Sequence, residues 1–166
     1  MILIGIDPGL RTGISVVQVT DTSIEQIFST TVDYTDPKEF SVSRQVKKII
    51  RGNLMYNGAE AMDSDNRFVV EKFVPEARKV DTTALEVIGE LRQAIRDQDG
   101  WATDGMRKWY WQTRQEKDSV HNDVLRRLGL WVKGHDNRHI NDATKHVVRR
   151  LVAMKHDFTL ETGWPE

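Results

Sequence analysis

The chain has 166 residues, 39 % of them hydrophobic and 30 % charged, a composition that indicates a folded domain and excludes a disordered tail. Cysteine is absent, which excludes a disulfide scaffold, thiol catalysis and metal sites built on cysteine. With 24 basic and 25 acidic side chains the formal net charge is −1, which taken alone argues against nucleic-acid binding. Because no apolar segment is long enough to cross a bilayer and the start lacks a basic leader, we expect a cytoplasmic protein without membrane contact.

The first half of the chain predicts an antiparallel meander of three strands. An apolar strand over 2–6 ends at Asp7, an alternating strand covers 14–19, and a third strand covers 24–34. Short turns join these strands, so each pairs with the next. A helix of about 18 residues is then expected between Asp36 and Gly58.

The second half alternates strands with helices. It comprises a strand over 67–74, a helix from the cap at Asp81 to about Arg96, an aromatic strand over 108–112, a helix over 115–128 and a last helix from about 138 to 156. Strands joined through helices lie parallel, so we predict an α/β fold with a five-stranded mixed sheet flanked by helices. We expect one domain over 1–156, followed by a short C-terminal tail over 157–166.

Charge is distributed unevenly along the chain. Residues 1–106 carry 12 basic and 17 acidic side chains, residues 107–155 carry 12 basic and 5 acidic ones, and residues 156–166 add three acids. A basic block of this kind is compatible with a solvated helical face and with a surface that binds phosphate.

Acidic residues interrupt two strands that are otherwise apolar. Asp7 ends the first strand, and Glu71 lies inside or at the end of the fourth. A buried carboxylate without a partner is costly, so two of them on neighbouring strands favour a bound cation. A paired or edge-exposed acid is the simpler interpretation of either residue alone.

The last helix adds a polar face beside its apolar one. At 100° per residue, His139, Asp142 and His146 fall together with Arg149 and Arg150. The spacing of His139 and Asp142 puts an imidazole and a carboxylate within reach of one ion. An ordinary amphipathic helix, and a zinc site on His139, Asp142 and His146, are the alternatives that this pattern leaves open.

Together these segments resemble the RuvC family of Holliday junction resolvases, which are RNase H-like nucleases. The segment Ile4–Gly13, which contains Asp7-Pro8-Gly9, is the most specific part, His139-x-x-Asp142-Ala143 is moderately specific, and Glu71 is specific only together with the other two. The resemblance extends from Ile4 to about Leu151 in the order of elements and motifs. The compact length and the His-Ile-Asn-Asp-Ala form are most similar to phage-encoded members.

The resemblance implies an RNase H-like fold and a metal-dependent, structure-selective DNA endonuclease. Such a hydrolase resolves Holliday junctions and related branched DNA in recombination and repair by paired phosphodiester hydrolysis. Asp7, Glu71, His139 and Asp142 would be its catalytic residues and would hold two Mg²⁺ or Mn²⁺ ions. The implied partners are branched DNA and a second copy of the chain in a homodimer, located in the host cytoplasm if the protein is phage-encoded.

The same resemblance and the basic block indicate which residues contact DNA. They are Arg11, Lys72, Phe73, Lys108, Arg114, Lys117 and Arg149. Lys117 lies in a segment similar to a DNA-contacting lysine segment of the family. Family members often carry an aromatic wedge three positions after the strand glutamate, where this chain has Val74. The strand aromatics Trp109, Tyr110 and Trp111, like Trp101, either fill the core or stack on unpaired bases.

Three other functions fit part of the pattern. An RNase H-like nuclease acting on flaps, forks or RNA would share the acidic site, and a catalytically idle junction-binding protein would share the basic face. The actin-like ATPases and sugar kinases also begin with a glycine-rich hairpin that contains Asp, but they need two lobes, for which 166 residues leave no room. His139 fits either a metal ligand or a proton-transfer group.

Overall fold

A five-stranded mixed sheet forms the centre of the part of the chain that the computed structural model describes, residues 1–33, 66–72, 82–96 and 109–164. Its strands are β1 (Ile2–Asp7), β2 (Arg11–Val19), β3 (Ile24–Asp33), β4 (Asn66–Glu71) and β5 (Trp109–Gln112). Their order in the sheet is β3-β2-β1-β4-β5, with β1, β2 and β3 antiparallel and with β4 parallel to both β1 and β5. The predicted meander and the parallel pairing of the later strands are confirmed.

The turn after β1 is shorter than predicted. Strand β2 begins at Arg11, three residues before the predicted start, because Arg11 pairs with Asp33 and Gly13 pairs with Asp7. The Thr12 hydroxyl donates a hydrogen bond of 3.2 Å to the Gly9 carbonyl oxygen and closes the turn. The predicted helix between 36 and 58, and the end of the fourth strand beyond residue 72, lie outside the described residues.

Five α-helices accompany the sheet in the described residues. They are α1 (Thr83–Arg96), α2 (Arg114–Asp118), α3 (Asn122–Arg127), α4 (Arg138–Ala153) and α5 (Asp157–Gly163). None of them has the length and apolarity needed to span a bilayer.

Two helix predictions need correction. The single helix expected over 115–128 is wrong, because α2 ends at Asp118, Val120 is buried in the core, and α3 begins only after His121. The last helix ends at Ala153 rather than near 156, since Lys155 takes a left-handed conformation with φ of 57°, which a continuing helix does not allow. Part of the segment predicted as a C-terminal tail forms helix α5.

The sheet buries both of its faces. On one face, Val87 and Leu91 of α1 pack against a set of strand residues: Ile4, Ile6, Ile14, Val16, Val32, Phe68 and Val70. On the other, Val124 of α3 and Val147 of α4 belong to a second cluster that includes Leu3, Val17, Val19, Ile24, Leu125, Leu128, Leu130 and Leu151. The alternation of β1 therefore puts Leu3, Gly5 and Asp7 on the face that α4 covers.

Two glycines of the Ile4–Gly13 segment allow α4 to lie directly on the sheet. A Cβ atom at Gly13 would overlap the carbonyl oxygen of His139, and one at Gly5 would overlap that of Ala143. These carbonyls are one helical turn apart, so α4 rests on β2 and β1 through backbone contact. The Thr144 hydroxyl, buried beside them, bonds to the Ser15 hydroxyl at 2.9 Å and fixes the helix in place.

Candidate metal centre

Three carboxylates meet at one edge of the sheet. Asp7 ends β1 and Glu71 ends β4, and because these neighbouring strands are parallel their carboxyl ends lie side by side. Asp142 comes from the first turns of α4, which the glycine contacts bring against β1. All three side chains line a cavity of about 530 Å³.

The ammonium group of Lys117 lies among these carboxylates. Its Nζ atom is 2.9 Å from Glu71 Oε2, 3.4 Å from Asp7 Oδ1 and 3.4 Å from Asp142 Oδ2. The Lys117 side chain is only 6 % exposed. Helix α2 holds it there through a capping box in which Thr113 and Glu116 bond to each other's backbone amides.

The protonation of the site follows from this arrangement. Burial raises the pKa of Glu71, but hydrogen bonds with His146 and Lys117 and their charges outweigh it and lower the pKa to about 2. Burial likewise raises the pKa of Asp142, but Lys117 and Lys145 outweigh this effect and hold the pKa below its ordinary value. Burial lowers the pKa of Lys117, and the carboxylates of Asp7, Glu71 and Asp142 raise it well above its usual range. At neutral pH Glu71 and Asp142 are therefore charged, and so is the lysine that lies between them.

Two histidines of α4 reach the carboxylates. His139 Nδ1 is 3.1 Å from Asp7 Oδ2, and His146 Nε2 is 3.2 Å from Glu71 Oε2. His146 is fully buried, and its Nδ1 is 3.0 Å from the side-chain oxygen of Gln112 at the end of β5. The helical spacing predicts that His146 lies beside the apolar face of α4, and no catalytic role is predicted for it.

The residues present fit a divalent cation. Nδ1 of His146 is hydrogen-bonded to the side chain of Gln112, which leaves Nε2 facing the Glu71 carboxylate. Histidines that bind metals usually hold their second ring nitrogen in such a bond. Ligand atoms of Asp7, Glu71 and His146 also lie within 4.8 Å of one another.

The zinc arrangement considered for α4 is not the one that the structure assembles. His139 is directed at Asp7, Asp142 at Lys117, and His146 at Glu71, so the three side chains have three different partners. The site combines α4 with the ends of β1 and β4.

Basic side chains surround the carboxylates. Arg114, Arg138 and Lys145 line the same cavity, and Lys145 Nζ is 3.1 Å from Asp142 Oδ1. Arg149 lines a second cavity, of about 310 Å³, between β5 and α4. Gln112 lines this second cavity and contacts His146, which in turn contacts Glu71 of the first cavity, so the two cavities are close neighbours.

Arg11 and Lys72, which are also predicted to contact DNA, line neither cavity. Arg11 starts β2 and forms ion pairs with Asp33 at 2.8 Å and Asp136 at 3.8 Å. Lys72 is exposed immediately after Glu71. Phe73 and Lys108 lie outside the described residues.

Two of the strand aromatics belong to the core. Trp109 stacks on Phe68 with ring centroids 4.5 Å apart, and both Trp109 and Trp111 pack against the cluster under α1. Tyr110 instead lies beneath the Arg150 guanidinium, 3.4 Å from its ring centroid, in the second cavity. Trp101 lies outside the described residues.

Comparison with solved structures identifies the architecture. The structure of Thermus thermophilus RuvC aligns with 93 % of this chain and 96 % of its own, with a TM-score of 0.60 and 17 % sequence identity. The chain has the RuvC fold. A second structure, T. thermophilus RuvC in complex with a Holliday junction substrate, aligns with 94 % of this chain and 97 % of its own at 18 % identity, again with a TM-score of 0.60.

These alignments confirm the predicted RNase H-like α/β fold. The RuvC fold also accounts for the mixed sheet with helices on both faces. Neither a protein-family model nor a curated protein matches the sequence. The likeness to RuvC, at 17 % and 18 % identity, therefore concerns the fold.

Proposed function

We propose that this protein is a metal-dependent, structure-selective DNA endonuclease that resolves Holliday junctions and related branched DNA by paired phosphodiester hydrolysis. The observation that supports this proposal best is the convergence of Asp7, Glu71 and Asp142 on one cation position at the edge of a RuvC-like sheet. A catalytically idle junction binder gains nothing from three carboxylates at this edge of the sheet, because their charge repels the phosphates of DNA.

The proposed metal ligands are Asp7, Glu71, His139 and Asp142, with His146 as a further nitrogen donor. Bound Mg²⁺ or Mn²⁺, two ions in the expected arrangement, would supply an activated water and stabilise the departing 3′ oxygen. Glu71, with its low pKa, and Asp142 are ready to bind a cation at neutral pH without losing a proton. Gln112 orients the ring of His146, and Asp7 orients that of His139.

The basic side chains around the site are proposed to hold the DNA backbone. Arg114, Arg138 and Lys145 offset the negative charge of the carboxylates in the cavity, which a phosphate must enter to be cleaved. Arg149 lies in the neighbouring cavity, and Arg11 and Lys72 lie at the same edge of the sheet, at the ends of β2 and β4. Contacts of this type give affinity that falls with salt and carry no base information.

A homodimer is part of the proposal, because two matched cuts across a four-way junction require a two-fold axis. The outer edge of α1 carries Leu85, a large apolar side chain that is 38 % exposed. A partner subunit at this edge would bury it. The similarity to phage-encoded resolvases rests on the chain length and on the sequence His139-Ile140-Asn141-Asp142-Ala143.

The test is a nicking assay on a labelled synthetic four-way junction with Mg²⁺ or Mn²⁺. We expect paired nicks in opposite strands, none on linear duplex, and none from the Asp7→Asn variant, which still binds the junction in a mobility-shift assay. Cutting confined to flaps, forks or RNA would favour the related nuclease, and binding without cutting would favour the idle binder. Equal cleavage by Asp7→Asn would refute the assignment of the site.

A further inference from the structure

We infer that Lys117 is a built-in counter-ion that competes with the divalent metal for the carboxylates of Asp7, Glu71 and Asp142. This inference rests on the proposed function and adds a property to it: metal loading displaces the lysine from the cluster. The lysine thus stabilises the metal-free protein and weakens its affinity for the metal.

The geometry shows that Lys117 contacts the oxygens a metal would use. Its Nζ atom is within 3.4 Å of an oxygen from each of the three carboxylates, which come from β1, β4 and α4. A Mg²⁺ ion binds such oxygens at about 2.1 Å. An ammonium group at 2.9 Å from Glu71 Oε2 leaves no room for an ion between them.

The charges lead to the same conclusion. Carboxylates that share a site repel each other, and the ammonium group of Lys117 offsets this repulsion as the ion-pair partner common to all three. A dication at the same oxygens would repel this ammonium group at short range in a poorly solvated site. Binding of the ion therefore requires the lysine to leave, and the ion pairs that are lost reduce the apparent affinity for the metal.

The position of Lys117 allows it to leave. It projects from the short helix α2 and lines the cavity of about 530 Å³, as Arg114 and Asp118 of the same helix do. A displaced Lys117 thus moves into the space where the DNA backbone is proposed to lie, and its charge becomes available to a phosphate. The ion pairs of Lys117 then belong to the site without metal, and the predicted DNA contact of this residue belongs to the site with metal bound.

Lys145 offers a matched control. It lines the same cavity and carries the same charge, but its ion pair in the described residues is with Asp142 alone, at 3.1 Å. Removal of either lysine takes one positive charge from the cavity. Only the removal of Lys117 vacates the position that three carboxylates share.

The experiment compares Lys117→Met and Lys145→Met with the wild type. Thermal unfolding in EDTA and in Mn²⁺, and Mn²⁺ binding by titration calorimetry, are measured on the full chain without DNA. We expect Lys117→Met to unfold at a lower temperature in EDTA, to gain more stability from Mn²⁺, and to bind Mn²⁺ at least about tenfold more tightly. Lys145→Met should change the affinity less than Lys117→Met does.

A measurement on the wild type keeps the inference testable if Lys117→Met does not fold. Acetylation by an excess of a lysine-reactive ester, followed by mass spectrometry, should modify Lys117 faster in saturating Mn²⁺ than in EDTA, relative to the exposed Lys155. Unchanged Lys117 labelling, or Mn²⁺ binding by Lys117→Met no tighter than that of the wild type, would overturn the inference and leave the proposed nuclease standing. Failure of the wild type to bind Mn²⁺ at all would overturn both.

Discussion

Neutralising Glu71 should destabilise the metal-free protein by an amount that depends on pH. The carboxylate has a pKa of about 2 against an ordinary value of 4.5, because Lys117 and His146 favour its charged form more than burial opposes it. This difference corresponds to about 3 kcal/mol. Since the folded-state pKa is the lower one, the contribution is complete above about pH 4.5 and is lost as the pH falls towards 2.

The assay is urea unfolding of Glu71→Gln and wild type in EDTA, followed by tryptophan fluorescence at pH 7, 5 and 3. At pH 7 the variant should be about 3 kcal/mol less stable, or about 6–12 °C lower in Tm for a chain of this size. The two proteins should converge between pH 4.5 and 2. Glu161→Gln, at an exposed position of α5, is the control and should follow the wild type. Equal stability at pH 7, or a difference as large at pH 3 as at pH 7, would refute the ion-pair account of the site.

Two further predictions concern the placement of α4 and the DNA surface. Gly13→Ala should cost about 1–3 kcal/mol in unfolding free energy and lower junction cleavage, because the new Cβ displaces His139 from Asp7. Gly9→Ala, whose Cβ would have its nearest neighbour at 3.8 Å, should match the wild type in thermal unfolding, and equal stability of both variants would contradict the account. Arg149→Gln should reduce the slope of log affinity against log salt by about 1 in junction-binding titrations and leave the nick positions unchanged, whereas an unaltered slope would remove Arg149 from the DNA surface.

The strands and their acids were the predictable part of this molecule. Asp7 and Glu71 each interrupt an apolar strand, where a carboxylate does not contribute to packing. The sequence alone therefore identifies both as candidate site residues. The glycines near Asp7 were recognised as part of a motif. Their contact with His139 and Ala143 depends on how α4 crosses the sheet, which no local pattern specifies.

The partners of the charged groups were not predictable. The sequence predicts a DNA contact for Lys117 from the basic block and from the resemblance of its segment, whereas two of its partners in the structure are 110 and 46 positions away along the chain. His146 falls at the border of the apolar face of α4, and its burial is decided by Glu71 and Gln112, which come from β4 and β5. The sequence does not indicate the break after α2. Val120 keeps the apolar spacing of a continuous helix, although it packs in the core from the segment between two helices.

The most direct test of the proposed function is a map of the nicks in a synthetic four-way junction whose four strands are labelled one at a time. With Mn²⁺ present, the account predicts nicks at symmetric positions in one pair of opposite strands and complete loss of cutting in EDTA. Nicks in a single strand, cutting that persists in EDTA, or equal cutting of a linear duplex would contradict it.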